Sequence, residues 1–255
     1  MSPTIRRIGY LIQSFGVDPR KFGPSLASIP TYIKAYTKVR KLTSAAWPIE
    51  LMPALGDRGE TAGSATGHYF HMDLWAARQV FAGNFRKVVD IGSRMDGYVA
   101  HVLSFRDIEV FDVRPLPNNI TGMVFTQADM MNPASLPENY ADCVTSLHAI
   151  EHFGLGRYGD PIDLDGWARG LASFSKILAP KGTLLLAVPV GRQRIEFDAH
   201  RVFDPRTIML ETDKLGLELI SFSGVNDKGE FIDKADPDAM GKMHYGCGCF
   251  VFKKL

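Results

Sequence analysis

The chain has 255 residues, with 45% hydrophobic, 22% charged and 11% aromatic side chains, so it can bury one large core and is not a disordered polymer. A formal net charge of +1 excludes a generally basic nucleic-acid binder. The charge is uneven: the first 42 residues carry eight Lys/Arg against Asp18 alone, a balance of +7 that leaves about −6 for the remainder.

In that basic arm, Ile29, Ile33, Tyr36 and Val39 recur at helical spacing, with Lys34, Lys38, Arg40 and Lys41 mostly elsewhere on the wheel. An amphipathic helix is expected, packed on the body with a solvated basic face or else docking on a membrane surface or a protein partner. Pro48 to Gly67 is irregular and reads as a linker or lid. Neither an apolar run of about 18 residues nor a signal-peptide pattern is present, and a cytoplasmic protein is expected. Cys143, Cys247 and Cys249 read as buried thiols.

From Tyr69, the stripe Phe70, Leu74, Ala77 and Phe81 predicts a helix ending near Gly83. Strands are expected at 87–92, 108–113, 124–129, 142–147, 183–190, 217–222 and 247–252. Helices are expected near 97–105, over 164–178 and from Pro205 to about Leu215. Such alternation implies an open, mostly parallel sheet covered on both faces, with ligands bound beyond the carboxyl ends of its strands.

The loops after the strands therefore hold the candidate chemistry. After the first strand runs Asp90-Ile91-Gly92-Ser93-Arg94-Met95-Asp96-Gly97, a glycine turn opening a helix whose free N–H groups suit a ligand. Twenty residues beyond Gly92, Asp112 is positioned to accept from ribose hydroxyls, and Asp129 and Met130 at the next strand end suit an adenine amino group and ring. The fourth strand end carries His148, Glu151, His152, Arg157, Tyr158 and Asp160. A histidine is suited to proton transfer at neutral pH, so His152 is the candidate base, with Glu151 orienting it or Asp160 sharing the role. After the fifth strand come Arg194, Glu196, Asp198, His200 and Arg201; His200 is a second candidate base, while Arg157, Tyr158, Arg194, Asp198 and Arg201 are candidates for holding acceptor hydroxyls.

Three nucleoside-compatible positions on consecutive strand ends resemble class I S-adenosylmethionine-dependent methyltransferases. The stretches VVDIGSRMDGYVAHVLSF, LHAIEHFGLGRYGDP and FDAHRVFDP resemble domain-of-unknown-function family 268. The resemblance implies a Rossmann-like α/β fold: a mostly parallel seven-stranded sheet, helices on both faces and a final antiparallel strand. Residues 67–255 would form the methyltransferase-like domain and 1–66 a helical arm with linker or lid. It implies S-adenosylmethionine as cofactor, held by Asp90, Gly92, Ser93, Arg94, Gly97, Asp112, Asp129, Met130 and His148. Implied too is O-methylation of a sugar or glycan precursor of a surface polysaccharide. The glycine loop departs from the usual Asp-x-Gly-x-Gly-x-Gly: Arg94 replaces the middle glycine and Gly97 falls one residue late. Arg94 can pair with the cofactor carboxylate or with Asp96.

Three rivals remain at this point. One is a cofactor-free docking module. Another is a zinc hydrolase, since His148-Ala149-Ile150-Glu151-His152 spells H-x-x-E-H without the helix that motif needs. The third, a nicotinamide oxidoreductase, lacks G-x-G-x-x-G. Asp160, Asp163 and Asp165 read as an acidic helix start, and no metal is expected.

Overall fold

A computed structural model describes Gly9, residues 12–56, Arg58 and residues 62–255. The chain divides into two compact units, Met1–Ser64 and Ala65–Leu255.

The first unit is dominated by helix α1, Pro19–Leu42, capped by Asp18, whose carboxylate accepts from the Arg20 N–H at 3.1 Å. Proline at N1 suits a helix start, and Arg40 and Lys41 complement the carbonyl end. No described side chain of α1 is buried: Phe22, Leu26, Ile33 and Val39 are all exposed. Residues 43–56 form no helix or strand. Among the described residues, no helix is long and apolar enough to cross a membrane.

The second unit is an α/β sandwich. In chain order its elements are α2 (His68–Ala82), β1 (Val88–Ile91), a π-helical turn Met95–Val99 running into α3 (Ala100–Leu103), β2 (Ile108–Asp112), β3 (Met123–Gln127) and β4 (Ala141–Leu147). There follow α4 (Gly166–Ile177), β5 (Leu178–Val190), β6 (Arg194–Glu196), β7 (His200–Val202), α5 (Pro205–Lys214), β8 (Leu217–Val225), β9 (Phe231–Ile232), α6 (Pro237–Gly241) and β10 (Gly246–Lys254). The sheet order is β3-β2-β1-β4-β5-β10-β8-β9. Strands β1 to β5 pair in parallel, and β10 runs antiparallel between β5 and β8. The expected seven strands and final antiparallel strand are present, with two-residue β9 as an eighth at the edge.

Strand alternation divides the core between two faces. Val89, Ile91, Phe111, Val144, Leu184 and Leu186 pack toward Leu171, Phe174 and Ile177 of α4 and Ile208 of α5. Val88, Val110, Cys143, Leu185, Cys247 and Cys249 pack toward Met72, Trp75, Ala76 and Val80 of α2 and Val102 of α3. The buried face of α2 is thus not the expected stripe: Phe70 and Phe81 are exposed and Ala77 alone of the four is buried. Apolar residues surround most of this helix, so periodicity alone could not choose the face. Helix α4 likewise starts after the expected Leu164, which is exposed.

Between β1 and its two neighbours, β2 and β4, the chain order reverses. That switch point leaves a crevice beyond the carboxyl ends of the strands.

Candidate functional site

The crevice is a cleft of about 600 Å³, part of it open solvent. Gly92, Asp112, Arg114, Asp129, Met130, His148, His152, Tyr158 and Asp160 are among its lining residues. Three strand-end positions read from the sequence, Gly92, Asp112 and Asp129, therefore share one cavity.

Gly92 turns at φ +68°, and a Cβ there would stand 3.0 Å from the Ala149 Cβ; glycine lets the backbone form the cleft floor. Asp90 faces inward instead. Fully buried, it accepts from the Ser93 N–H at 3.1 Å, the Ser93 hydroxyl at 2.6 Å and the Thr145 hydroxyl at 2.8 Å. Ser93 Oγ in turn accepts from the Leu147 N–H at 3.0 Å. Asp90 and Ser93, expected at the cofactor, thus tie the β1 loop to β4 and shape the site from behind. Burial pushes the Asp90 carboxyl up to about 6, against the pull of its hydrogen bonds.

Asp112 does reach the cleft, but it is engaged. Arg114 donates to it bidentately, Nε to Oδ1 at 3.0 Å and Nη2 to Oδ2 at 2.6 Å, and the Arg114 N–H reaches Oδ1 at 2.8 Å. The same guanidinium lies 4.7 Å from the Tyr158 ring centroid. Asp129 accepts from the Met131 N–H at 2.8 Å, and buried Met130 belongs to the core face beneath the cleft. Arg94 pairs with Asp96 at 2.8 Å and covers the Tyr69 ring at 4.6 Å. Gly97 is required by contact, because a Cβ there would collide with Oδ2 of buried Asp73. Burial raises Asp73 to about 6.

Beyond β4, His148 turns at φ +54° and Ile150–His152 make a single 3-10 turn. The H-x-x-E-H residues therefore do not lie along a helix, and the two histidines flank Glu151 Oε1 at 3.5 Å (His148 Nδ1) and 3.9 Å (His152 Nε2). His152 Nδ1 sits 2.7 Å from the Ala199 carbonyl. A carbonyl only accepts, so Nδ1 carries the proton and Nε2 keeps its lone pair. Burial lowers His152 to about 4 and raises Glu151 to about 8, so at neutral pH both are uncharged.

Several polar residues expected at the reacting centre prove to be scaffolding. Asp160, on the cleft wall, accepts the N–H groups of Gly154 (2.7 Å), Gly156 (3.2 Å) and Tyr158 (3.1 Å) and so organises the β4 loop. Arg201, 5% exposed, donates to the carbonyls of Phe153 (2.6 Å), Leu164 (3.1 Å) and Glu151 (3.4 Å); it is a buried pin, not an acceptor ligand. The stretch read as a loop after β5 is the β6–β7 ribbon, with exposed Asp198 in its turn. Arg194 pairs with Glu196 at 2.6 Å, and His200 Nε2 lies 3.4 Å from the other Glu196 oxygen. Arg157 donates to the Ala199 carbonyl at 2.8 Å, tying the ribbon to the β4 loop. His200 reaches that loop as well, its ring 6.3 Å from that of His152.

Sequence reasoning missed Arg114 and Asp73. Arg114 had a signal, a guanidinium two residues beyond a strand-end acid; Asp73 had none, since only packing sets it under Gly97.

The match to a family model covers residues 117–255, and that family is described as Caenorhabditis protein of unknown function, DUF268. No curated protein matches the chain. Among solved structures, the (4+2)-cyclase SpnF is similar at TM-score 0.53 and 15% identity, over 72% of this chain and 80% of that one. The N-methyltransferase NodS from Bradyrhizobium japonicum WM9, in complex with S-adenosyl-L-homocysteine, is similar at 0.52 and 12%, over 74% and 88%. At such identities the likeness is one of fold, and it is the Rossmann-like fold of class I methyltransferases. The family model spans more than half of the sequence, and the chain belongs to family DUF268.

Proposed function

We propose that the protein is an S-adenosylmethionine-dependent O-methyltransferase whose acceptor is a sugar hydroxyl of a surface polysaccharide or its glycan precursor, acting in the cytoplasm. The observation that carries the reading is the convergence of Gly92, Asp112 and Asp129 on one cleft that His152 also lines.

The residues fit the cofactor in two respects. Gly92 leaves open the space that a Cβ would take, and Asp112 keeps an acceptor position on Oδ2, which receives a single guanidinium bond. Asp112 would hold a ribose hydroxyl, Asp129 an adenine amino group and the Gly92 turn the backbone-facing part of the nucleoside. When bound, the cofactor supplies a methyl group on a sulfonium, an electrophile that needs no further activation. What remains for the chain is orientation and a proton acceptor. His152 Nε2 takes the proton that an acceptor hydroxyl gives up, and the Ala199 carbonyl holds the ring in the required tautomer. Tyr158 lines the cleft, and Arg157 and His200 beside it would meet acceptor hydroxyls, a sugar being the class of acceptor that the family resemblance suggests.

One observation favours a second reading, a docking module without cofactor: Arg114 already meets both oxygens of Asp112. The fold alone does not decide, since a neighbour of the same fold is a cyclase by name. Calorimetric titration of the full chain with S-adenosylhomocysteine separates the two. Micromolar binding, with turnover of a glycan acceptor lost in His152→Ala while that binding persists, supports the enzyme; absence of binding overturns it. Unchanged turnover in His152→Ala overturns the base assignment.

A further inference from the structure

Beside the cleft, on the α2 face of the sheet, three side chains from distant parts of the chain converge. His68 begins α2, His148 follows β4 and Cys247 is the second residue of β10. One ring nitrogen from each histidine and the Cys247 sulfur lie within 4.8 Å of one another. We propose that His68, His148 and Cys247 bind a divalent transition-metal ion of the zinc class, with a fourth position left for water or an acceptor oxygen.

Three observations support the site beyond proximity. The first is an orphan: His148 is buried and its Nε2 has no hydrogen-bond partner, a polar atom that a metal bond would satisfy. Orientation is the second. His148 Nδ1 is 3.5 Å from Glu151 Oε1, so the imidazole can direct its Nδ1–H at that carboxyl oxygen and keep the unpaired Nε2 lone pair for the ion, the arrangement that holds metal-ligating histidines in place. Donor chemistry is the third. One thiolate and two imidazoles suit zinc and exclude magnesium and calcium, which take oxygen ligands.

The geometry needs a small closure. Bonds of about 2.0 to 2.3 Å to a tetrahedral ion put ligand atoms roughly 3.4 to 3.7 Å apart. From separations within 4.8 Å the side chains must draw in by at most about 1 Å, and half-buried His68, the first residue of α2, is the least buried of the three. Binding converts the Cys247 thiol to a thiolate and releases its proton to solvent. The ion would then cross-link α2, the β4 loop and β10. This site shares only His148 with the H-x-x-E-H string; His152 is turned to the Ala199 carbonyl.

The inference does not depend on methyl transfer and is tested without it. The full chain, purified without metal-affinity steps, is analysed for metal, stripped with chelator and titrated with Zn²⁺ and Co²⁺. One tight equivalent of zinc, and a thiolate-to-cobalt charge-transfer band in the near ultraviolet, are expected. Cys247→Ser should abolish the band, and His68→Ala should weaken Zn²⁺ by more than about a hundredfold, since losing a ligand costs more than losing its support. Cys143→Ser, on the same face in β4, should change neither. Should Cys247→Ser fail to fold, His68→Ala decides alone. Zinc binding that is absent in the stripped wild type, or equal in wild type and His68→Ala, overturns the site. A protein that binds zinc but not S-adenosylhomocysteine keeps this inference and loses the proposed enzyme.

Discussion

Asp112 and Arg114 give the sharpest test of the cofactor reading, because the structure counts the hydrogen bonds at stake. Oδ1 of Asp112 already receives two N–H donors from Arg114, at 2.8 and 3.0 Å, and is saturated; Oδ2 receives one, at 2.6 Å, and can take one more. With Arg114 in place, a ribose therefore gains a single bond to the carboxylate. A hydrogen bond to a charged group is worth about 1.5 to 3 kcal/mol, so Asp112→Ala should weaken S-adenosylhomocysteine by roughly ten- to a hundredfold. Arg114→Ala should act in the opposite direction. Its side chain is half exposed, so the competing ion pair is worth about 0.2 to 1 kcal/mol, and removing it should tighten the nucleoside by up to about fivefold, less at high salt. Calorimetry on both variants at two ionic strengths measures this. Unchanged affinity in Asp112→Ala, or weaker binding in Arg114→Ala, refutes the argument: the first moves the ribose elsewhere, and the second makes Arg114 a ligand contact.

Two further outcomes concern the scaffold. Arg201→Ala removes a buried guanidinium from several carbonyls and should cost about 3 to 5 kcal/mol, read as a lower urea midpoint at unchanged slope; a loss under about 1 kcal/mol would mean the β4 loop holds itself. Asp90 has its folded-state value raised from 3.8 to about 6, so above pH 3.8 the unfolded chain ionises first and the contribution of this group to stability falls until about pH 6. The stability of the wild type relative to Asp90→Asn should therefore drop by roughly 3 kcal/mol across that window, and a flat difference refutes the assigned burial effect.

Much of the fold was legible in the sequence because strands and helices repeat with different periods and are punctuated by glycine and proline. KVVDIG, IEVFDV, DCVTSL and TLLLAVPV are short apolar runs ending at turns, and each lies in a strand of the central sheet. Gly92, Asp112 and Asp129 were legible for the same reason, since a strand end is a position that pattern alone can locate. The face of α2 was not legible, because Phe70, Met72, Trp75 and Phe81 are all apolar and only the shape of the sheet beneath chooses among them. The β6–β7 ribbon was missed because its three-residue strands are too short, and too rich in charge, to show alternation.

What the sequence by itself determined is the order of elements and which residue types stand at the strand ends. Only the tertiary structure decided what those residues do. Asp160 reads as a partner for the base and Arg201 as a ligand for acceptor hydroxyls, and backbone amides and carbonyls brought close by folding engage them. Asp90 turned inward to Ser93 and Thr145, and Arg114 closed on Asp112. His68, His148 and Cys247 are separated by 80 and 99 residues along the chain and meet only in space. The physical reason is that a side chain's chemistry depends on its partners and its access to water, and both are set by contacts between residues far apart in sequence.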